Sequence, residues 1–163
     1  MKRAGAIVVL MNKSPIVRPV TIADLPAWRT LWASDSAFYG RRGQTALAEE
    51  ITQTTWSGFF DTLEPVHALV AEEDGRLLRL THYLFHRSTI HLGLNCHLQD
   101  LFTIETARGK SVGRAWIEAV CGRAKEAVSA RVYWQTHETN VIAMRLYDQV
   151  ARRSGFLVYS QLV

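Results

Sequence analysis

Seven residues in the second half of the chain, Arg108–Arg114, combine two glycines with three cationic side chains. The first backbone N–H groups of a helix have no intrahelical acceptor, and the positive end of the helix dipole lies there. A glycine-bearing turn between a strand and a helix is therefore a recurrent anion site. Strand-type residues precede the turn and residues at helical spacing follow it, namely Leu101, Phe102 and Ile104, then Ala115, Trp116, Ala119 and Val120. The pattern predicts a ligand that carries phosphate groups.

Two known glycine motifs fit this segment poorly. A P-loop requires G-x-x-x-x-G-K-[ST], and Ile104 stands where its first glycine belongs, although Gly109-Lys110-Ser111 supplies the second half. A dinucleotide fingerprint requires G-x-G-x-x-G, which Gly109 and Gly113 do not satisfy. An ordinary strand–turn–helix connection with solvated basic side chains remains the structural alternative, and a nucleotide hydrolase is a distant functional one.

A third motif fits better. The run Arg108-Gly-Lys-Ser-Val-Gly113 resembles the Q/R-x-x-G-x-G/A signature of the GNAT acetyltransferase superfamily, with Ser111 where the family usually has its first glycine. A second block, Asn140–Tyr147, resembles the family pattern N-x-x-A-x-x-L-Y, with its glycine later, at Gly155. Residues 75–77, 82–86 and 99–102 resemble the branch that includes histone and polyamine acetyltransferases.

The resemblance extends over residues 16–159 and implies acetyl-CoA as a cosubstrate. In that family the fourth and fifth strands splay apart and the pantetheine arm enters the gap, so the backbone of Leu101, Phe102 and Thr103 is expected to pair with it. The remaining cofactor-binding residues that the resemblance implies are Arg108, Gly109, Lys110, Ser111, Val112, Gly113, Arg114 and Asn140.

The reaction implied is acetyl transfer from a thioester to a primary amine of a small polyamine-like molecule or a lysine side chain. Tyrosine has a reference pKa of about 10 and a thiol one of about 8.5, so Tyr147 is suited to protonate the departing thiolate, which is the family's usual assignment. A lysine-like amine is mostly protonated at neutral pH and needs a base. Asp100 is the first candidate base, followed by Glu138, His82 and His137. The alternative is a non-catalytic acyl-CoA-binding or interaction module on the same fold.

Composition bounds the function further. The chain has 163 residues, 48% of them hydrophobic, and a net charge of +4, which suits an anionic cofactor but is too small and dispersed to predict nucleic-acid binding. Cys96 and Cys121 form no metal-binding pattern and are expected to be free thiols in a reducing compartment. His82 and His86 share a strand face, but no third ligand is evident, so no metal site is predicted. We expect a cytoplasmic protein that associates with neither nucleic acid nor membrane, with residues 1–15 as an N-terminal extension.

The elements that position these residues follow from periodicity. Trp28 and Trp32 lie on one face of a helix that Asp24 is expected to cap, and Asp74-Gly75 is a two-residue hairpin signal. Gly155 is expected to close the last helix, and residues 156–159 are expected to form a final strand. The order β-α-α-β-β-β-α-β-α-β predicts a single α/β domain over residues 16–163, with a mixed, mostly antiparallel sheet flanked by helices. The resemblance further implies a homodimer or a larger homo-oligomer.

Overall fold

The computed structural model describes residues 15–109 and 112–163. They form an α/β fold with five strands in the order β1-β2-β3-β4-β5 and four α-helices. The strands and helices are, in chain order, β1 (Ile16–Pro19), α1 (Leu25–Phe38), α2 (Glu49–Gly58), β2 (Val66–Glu73), β3 (Arg76–His86), β4 (Asn95–Thr103), α3 (Val112–Glu126), β5 (Arg131–Tyr133) and α4 (Val141–Val150). The predicted fold class is confirmed. None of the described helices is long and apolar enough to cross a bilayer.

The sheet is mixed. β1 pairs antiparallel with β2, and β4 pairs parallel with β5 through Asn95–His97 and Arg131–Tyr133. A parallel pair needs a crossover connection, and α3 provides it. Asp74 and Gly75 both have positive φ angles, +48° and +75°, as a type I′ turn between β2 and β3 requires, so the predicted hairpin is confirmed.

The chain divides into two compact units, and β3 and β4 each run from one into the other. The first unit holds the described residues up to His82 together with Asp100–Ala107. Its core contains Trp28 and Trp32, as the helical spacing predicted. The second unit holds Tyr83–Gln99 and the described residues from Arg108 onward. Its buried residues include Cys96, Leu98, Trp116, Ile117, Val120 and Ala124.

Two local predictions were wrong, and a third was confirmed in position only. Residues 151–163 contain no strand and are exposed throughout, so the expected strand at residues 156–159 does not form in the described chain. α4 ends at Val150 and Ala151 is extended, which leaves Gly155 outside the helix cap. Asp24 is the N-cap residue of α1, as predicted, but its side chain makes no capping hydrogen bond to that helix. Its carboxylate instead accepts hydrogen bonds from the backbone N–H of Thr21 and from Arg18.

Arg18 forms ion pairs with two carboxylates of the first unit. Its guanidinium lies 2.7 Å from Asp24 Oδ2 and 2.7 Å from Glu72 Oε2. The hydrogen bonds from Arg18 lower the pKa of Asp24 to about 2, and the Thr21 backbone N–H acts in the same direction. Because a carboxylate with a depressed pKa binds protons less readily in the folded chain, it stabilises the fold above its unfolded pKa.

Asp24→Asn is expected to lower the free energy of unfolding at pH 7 by about 2 kcal/mol, since one pKa unit corresponds to about 1.4 kcal/mol. The difference from the unmodified protein should shrink as the pH falls below about 4 and vanish only below about pH 2. Urea denaturation at several pH values measures it. Asp148→Asn, which loses an exposed ion pair with Arg153, is the matched control and should show a clearly smaller effect. Equal losses for both variants would contradict the assignment.

Candidate active site

The C-terminal part of β4 carries the residues expected to meet the pantetheine arm. The register between β4 and β5 ends at His97 and Tyr133, whereas β4 continues to Thr103. Phe102 is buried in the core of the first unit, while Leu101 and Thr103 are half-buried. The parallel pairing therefore stops before the residues that the resemblance assigns to the cofactor arm, as a splay of these strands requires.

Asp100, the first candidate base, pairs with another of the candidates. Its Oδ2 lies 3.0 Å from Nδ1 of His82 on β3, and the Asp100 backbone carbonyl accepts a hydrogen bond from Thr81 Oγ1 at 2.7 Å. The His82 side chain is 3% exposed and that of Asp100 is 15% exposed. The structure thus brings these two candidates together, with Asp100 on the solvent-accessible side of the pair.

The hydrogen bonds of His82 determine which nitrogen carries its proton. The indole N–H of Trp28 donates to His82 Nε2 at 2.9 Å, and an indole nitrogen is only a donor. Nε2 must therefore be the unprotonated nitrogen, and Nδ1 carries the hydrogen that it donates to Asp100. His82 is thereby excluded as the direct base, because its one acceptor nitrogen is already occupied by Trp28. It orients the Asp100 carboxylate instead.

Asp35 is a carboxylate near this pair that was not among the candidates chosen from the sequence. It is 2% exposed, and burial raises its pKa to about 7, with a further contribution from the negative charge of Asp100 and an opposing one from Arg41. A signal was present in the sequence, because Asp35 lies seven residues after Trp28 and so on the same helix face. An acidic residue on an apolar face indicates a functional or paired group.

The basic turn and the last helix meet in the second unit. Gly109 has a φ of +146°, a conformation that favours glycine, and α3 begins at Val112. A Cβ added to Gly113 would lie 2.5 Å from Cδ2 of Leu146 on α4. Glycine is therefore favoured at this position at least in part because α3 packs closely on α4. The predicted cofactor residues Lys110 and Ser111 lie outside the described residues.

Two residues that were predicted to bind the cofactor, Arg114 and Asn140, contact α4. Arg114 donates to Gln149 Oε1 at 3.4 Å, which places this cation beside α4, while Arg108 is exposed in the turn. Asn140 is the N-cap of α4, and its Oδ1 accepts from the backbone N–H of Ala143 at 3.4 Å. The asparagine of the motif therefore has a structural function that its spacing did not reveal.

Tyr147, the predicted proton donor, is half-buried on α4. Its ring packs edge-on against Trp134, which follows β5, with the ring centroids 5.4 Å apart. Glu138 and His137, the remaining candidate bases, are exposed in the loop before α4, where His137 Nδ1 lies 2.8 Å from Thr139 Oγ1. Neither of these two exposed side chains gains support as a base from its contacts.

Comparison with known proteins agrees with this fold and these motifs. The Acetyltransferase (GNAT) family matches residues 27–151, so the chain belongs to this family and is an N-acetyltransferase. It is 31% identical over 154 residues to the D-amino-acid N-acetyltransferase HPA3 of Saccharomyces cerevisiae, covering 93% of each chain.

Two solved structures share the fold at low sequence identity. One is a ribosomal-protein-alanine N-acetyltransferase from Brucella melitensis biovar Abortus 2308, with a TM-score of 0.70, 19% identity, and coverage of 92% of this chain and 100% of the other. The other is AAC(6')-Iy in complex with a bisubstrate analog, CoA-S-monomethyl-acetylneamine, with a TM-score of 0.77, 12% identity, and coverage of 93% and 99%.

Proposed function

We propose that the chain transfers the acetyl group of acetyl-CoA to a primary amine of a small molecule by direct attack. The observation that carries the proposal is the 31% identity over 93% of both chains to a D-amino-acid N-acetyltransferase. That likeness makes amino acids the first acceptors to test. Polyamines and lysine side chains follow, because of the resemblance to the histone and polyamine branch.

The proposed reaction requires one group that accepts a proton from the amine and one that donates a proton to the thiolate. The neutral amine attacks the thioester carbonyl, a tetrahedral oxyanion forms, and the C–S bond then breaks. Tyr147 passes its phenolic proton to the departing thiolate and recovers one from solvent. Asp100, oriented by His82, receives the ammonium group of the acceptor and is the first group through which its proton leaves. A nucleophilic amine needs its lone pair, so this deprotonation precedes attack.

Acetyl-CoA would be held by backbone and cationic groups. The backbone of Leu101–Thr103 is proposed to bind the pantetheine arm, which is supported by the early end of the β4–β5 pairing. The pyrophosphate is proposed to lie at the N-terminus of α3, near Arg108, Lys110 and Arg114, where the positive end of the helix dipole and the cationic side chains favour an anion. Asn140 has its Oδ1 engaged in capping, so only its amide nitrogen would serve the cofactor.

A combined assay tests this proposal. Calorimetry with acetyl-CoA should give saturable binding, and thiol release should be seen with at least one amine from a panel of D- and L-amino acids, polyamines and a lysine peptide. Ser111→Gly, which restores the usual family glycine, should bind acetyl-CoA at least as tightly. Binding without turnover of any amine would instead favour the non-catalytic acyl-CoA-binding module, and absence of binding would contradict both.

The assembly and location are also proposals. We propose a homo-oligomer in the cytoplasm, and the exposed apolar side chains of Phe156, Leu157 and Tyr159 are compatible with a surface that another copy covers. Light scattering of the purified chain measures the assembly. A monomer at micromolar concentration would contradict it.

A further inference from the structure

The last turns of α1 contain three buried polar atoms that have no hydrogen-bond partner among the described residues. Trp32, Asp35 and Ser36 are 8%, 2% and 3% exposed. Trp32 Nε1, Asp35 Oδ2 and Ser36 Oγ have no hydrogen-bond partner among the described residues. Buried polar atoms are nearly always paired, and one left unpaired costs stability. These three atoms belong to residues three and four positions apart, so they lie on one face of the helix. Together they indicate a site that can bind a polar group or a proton.

Asp100 on β4 lies near this face of α1. The ring of Trp32 lies 5.0 Å from that of His82, and His82 Nδ1 lies 3.0 Å from Asp100 Oδ2. Burial raises the pKa of Asp35, and the negative charge of Asp100 adds to it; burial also raises the pKa of Tyr39, with smaller contributions from Asp35 and Asp100. Arg41 opposes the effect on both groups. Among the described residues, Asp100, Tyr39 and Arg41 are the titratable groups that interact with Asp35, and His82 is hydrogen-bonded to Asp100. Asp35 and Asp100 thus lie near each other in the first unit, while Tyr39 and Arg41 are exposed.

The two carboxylates differ in their surroundings. Asp100 is reachable from solvent and is oriented by the N–H of His82, whose other nitrogen is occupied by Trp28. Asp35 has no hydrogen-bond donor on its buried oxygen among the described residues. A pair of titratable groups whose surroundings separate their proton affinities is the arrangement by which enzymes divide acid and base functions.

We propose that Asp35 and Asp100 act as a carboxylate pair that binds the ammonium group of the acceptor amine through Asp100 and holds the released proton on Asp35. This rests on the proposed acetyl transfer and refines its base from one residue to two. One N–H bond of the ammonium breaks, one O–H bond forms on the pair, and the amine keeps its lone pair for attack. Asp100 also precedes Leu101–Thr103 directly in β4, so the pair lies beside the strand proposed to bind the pantetheine arm.

A proton acceptor of this kind gives a defined pH profile. The pair accepts a proton only while Asp35 is ionised, so kcat/KM should rise with pH through about 7. Stability should change in the opposite direction. Folded Asp35 keeps its proton up to about pH 7, whereas the unfolded chain loses it near the ordinary aspartate pKa of about 3.9. The folded protein should therefore lose stability as the pH rises between those values.

Asp35→Asn tests the proposal. We expect it to lower kcat/KM by about 10²-fold or more, to remove the rise near pH 7, and to remove the fall in stability between about pH 4 and pH 7. Asp74→Asn is the matched control, since Asp74 is exposed in a hairpin turn where asparagine suits the positive φ, and it should behave like the unmodified protein.

A second variant and an assay of the unmodified protein separate failure of the carboxylate pair from failure of the proposed acetyl transfer. Asp100→Asn removes the charge that raises the pKa of Asp35, so its residual activity should rise at a lower pH. If the unmodified protein turns over an amine but Asp35→Asn keeps both its kcat/KM and its pH profile, the carboxylate pair is overturned while the proposed function stands. If the unmodified protein binds no acetyl-CoA and acetylates no amine, the proposed function fails first. Should Asp35→Asn not fold, an unchanged pH profile in Asp100→Asn would itself overturn the pair.

Discussion

Replacing Tyr147 with phenylalanine is expected to lower kcat for amine acetylation by ~10²–10⁴-fold, the usual contribution of a general acid. The change removes only the phenolic hydroxyl. The ring should therefore keep its edge-on packing against Trp134, and α4 should keep its fold. Thiol release at saturating acetyl-CoA and amine measures kcat, and calorimetry should show acetyl-CoA affinity within a few-fold of that of the unmodified protein.

Tyr159→Phe is the matched control for this substitution. Tyr159 is 89% exposed and lies after the end of α4, so loss of its hydroxyl should leave kcat unchanged. Full turnover by Tyr147→Phe with an active substrate would show that another group protonates the thiolate. A loss of acetyl-CoA binding in place of a loss of kcat would instead assign the Tyr147 hydroxyl to cofactor binding.

The elements of this fold could be predicted where local chemistry determines them. The face of α1 that carries Trp28 and Trp32 is buried, and Asp74-Gly75 forms the turn between β2 and β3, as predicted. Both could be predicted because helical periodicity and positive φ depend on residues that are neighbours in the sequence. The expected strand at residues 156–159 failed because β-branched and aromatic composition supplies only suitability for a sheet. A strand also needs a partner edge, which is a property of the whole chain and not of the segment.

In the candidate site, too, the features that depend on contacts between distant residues could not be predicted from the sequence. Asp100 and His82 were separate candidates, and residues 18 positions apart on two strands could not be paired from the sequence, because that requires the strand register. Gly113 and Asn140 matched a motif, yet helix packing and helix capping account for part of their identity. Asp35 was missed because its significance depends on burial and on the charge of Asp100 across the fold.

Trp28→Ala is expected to reduce the free energy of unfolding by about 3–5 kcal/mol, the usual cost of removing a large aromatic side chain from a core. Trp28 is fully buried, and its ring lies 4.8 Å from that of Trp56 and 5.7 Å from that of Phe59. Urea denaturation measures the loss. Phe60→Ala is the comparison, because Phe60 also packs against Trp56 but is 40% exposed. It should lower the free energy of unfolding clearly less. Equal losses would contradict a core centred on Trp28.

Trp28→Phe separates packing from hydrogen bonding at the same position. It keeps most of the buried aromatic surface but removes the donor to His82 Nε2, and a buried acceptor left unpaired costs about 1–3 kcal/mol. The Asp100 carboxylate still holds the proton on Nδ1, so the NMR signal of Nε2, which loses the indole donor, should shift, and the orientation of Asp100 should loosen because one of the two hydrogen bonds that hold the ring is lost. Amine acetylation should weaken through Asp100 while acetyl-CoA affinity is kept. An unchanged Nε2 signal would contradict the hydrogen bond from Trp28 to His82.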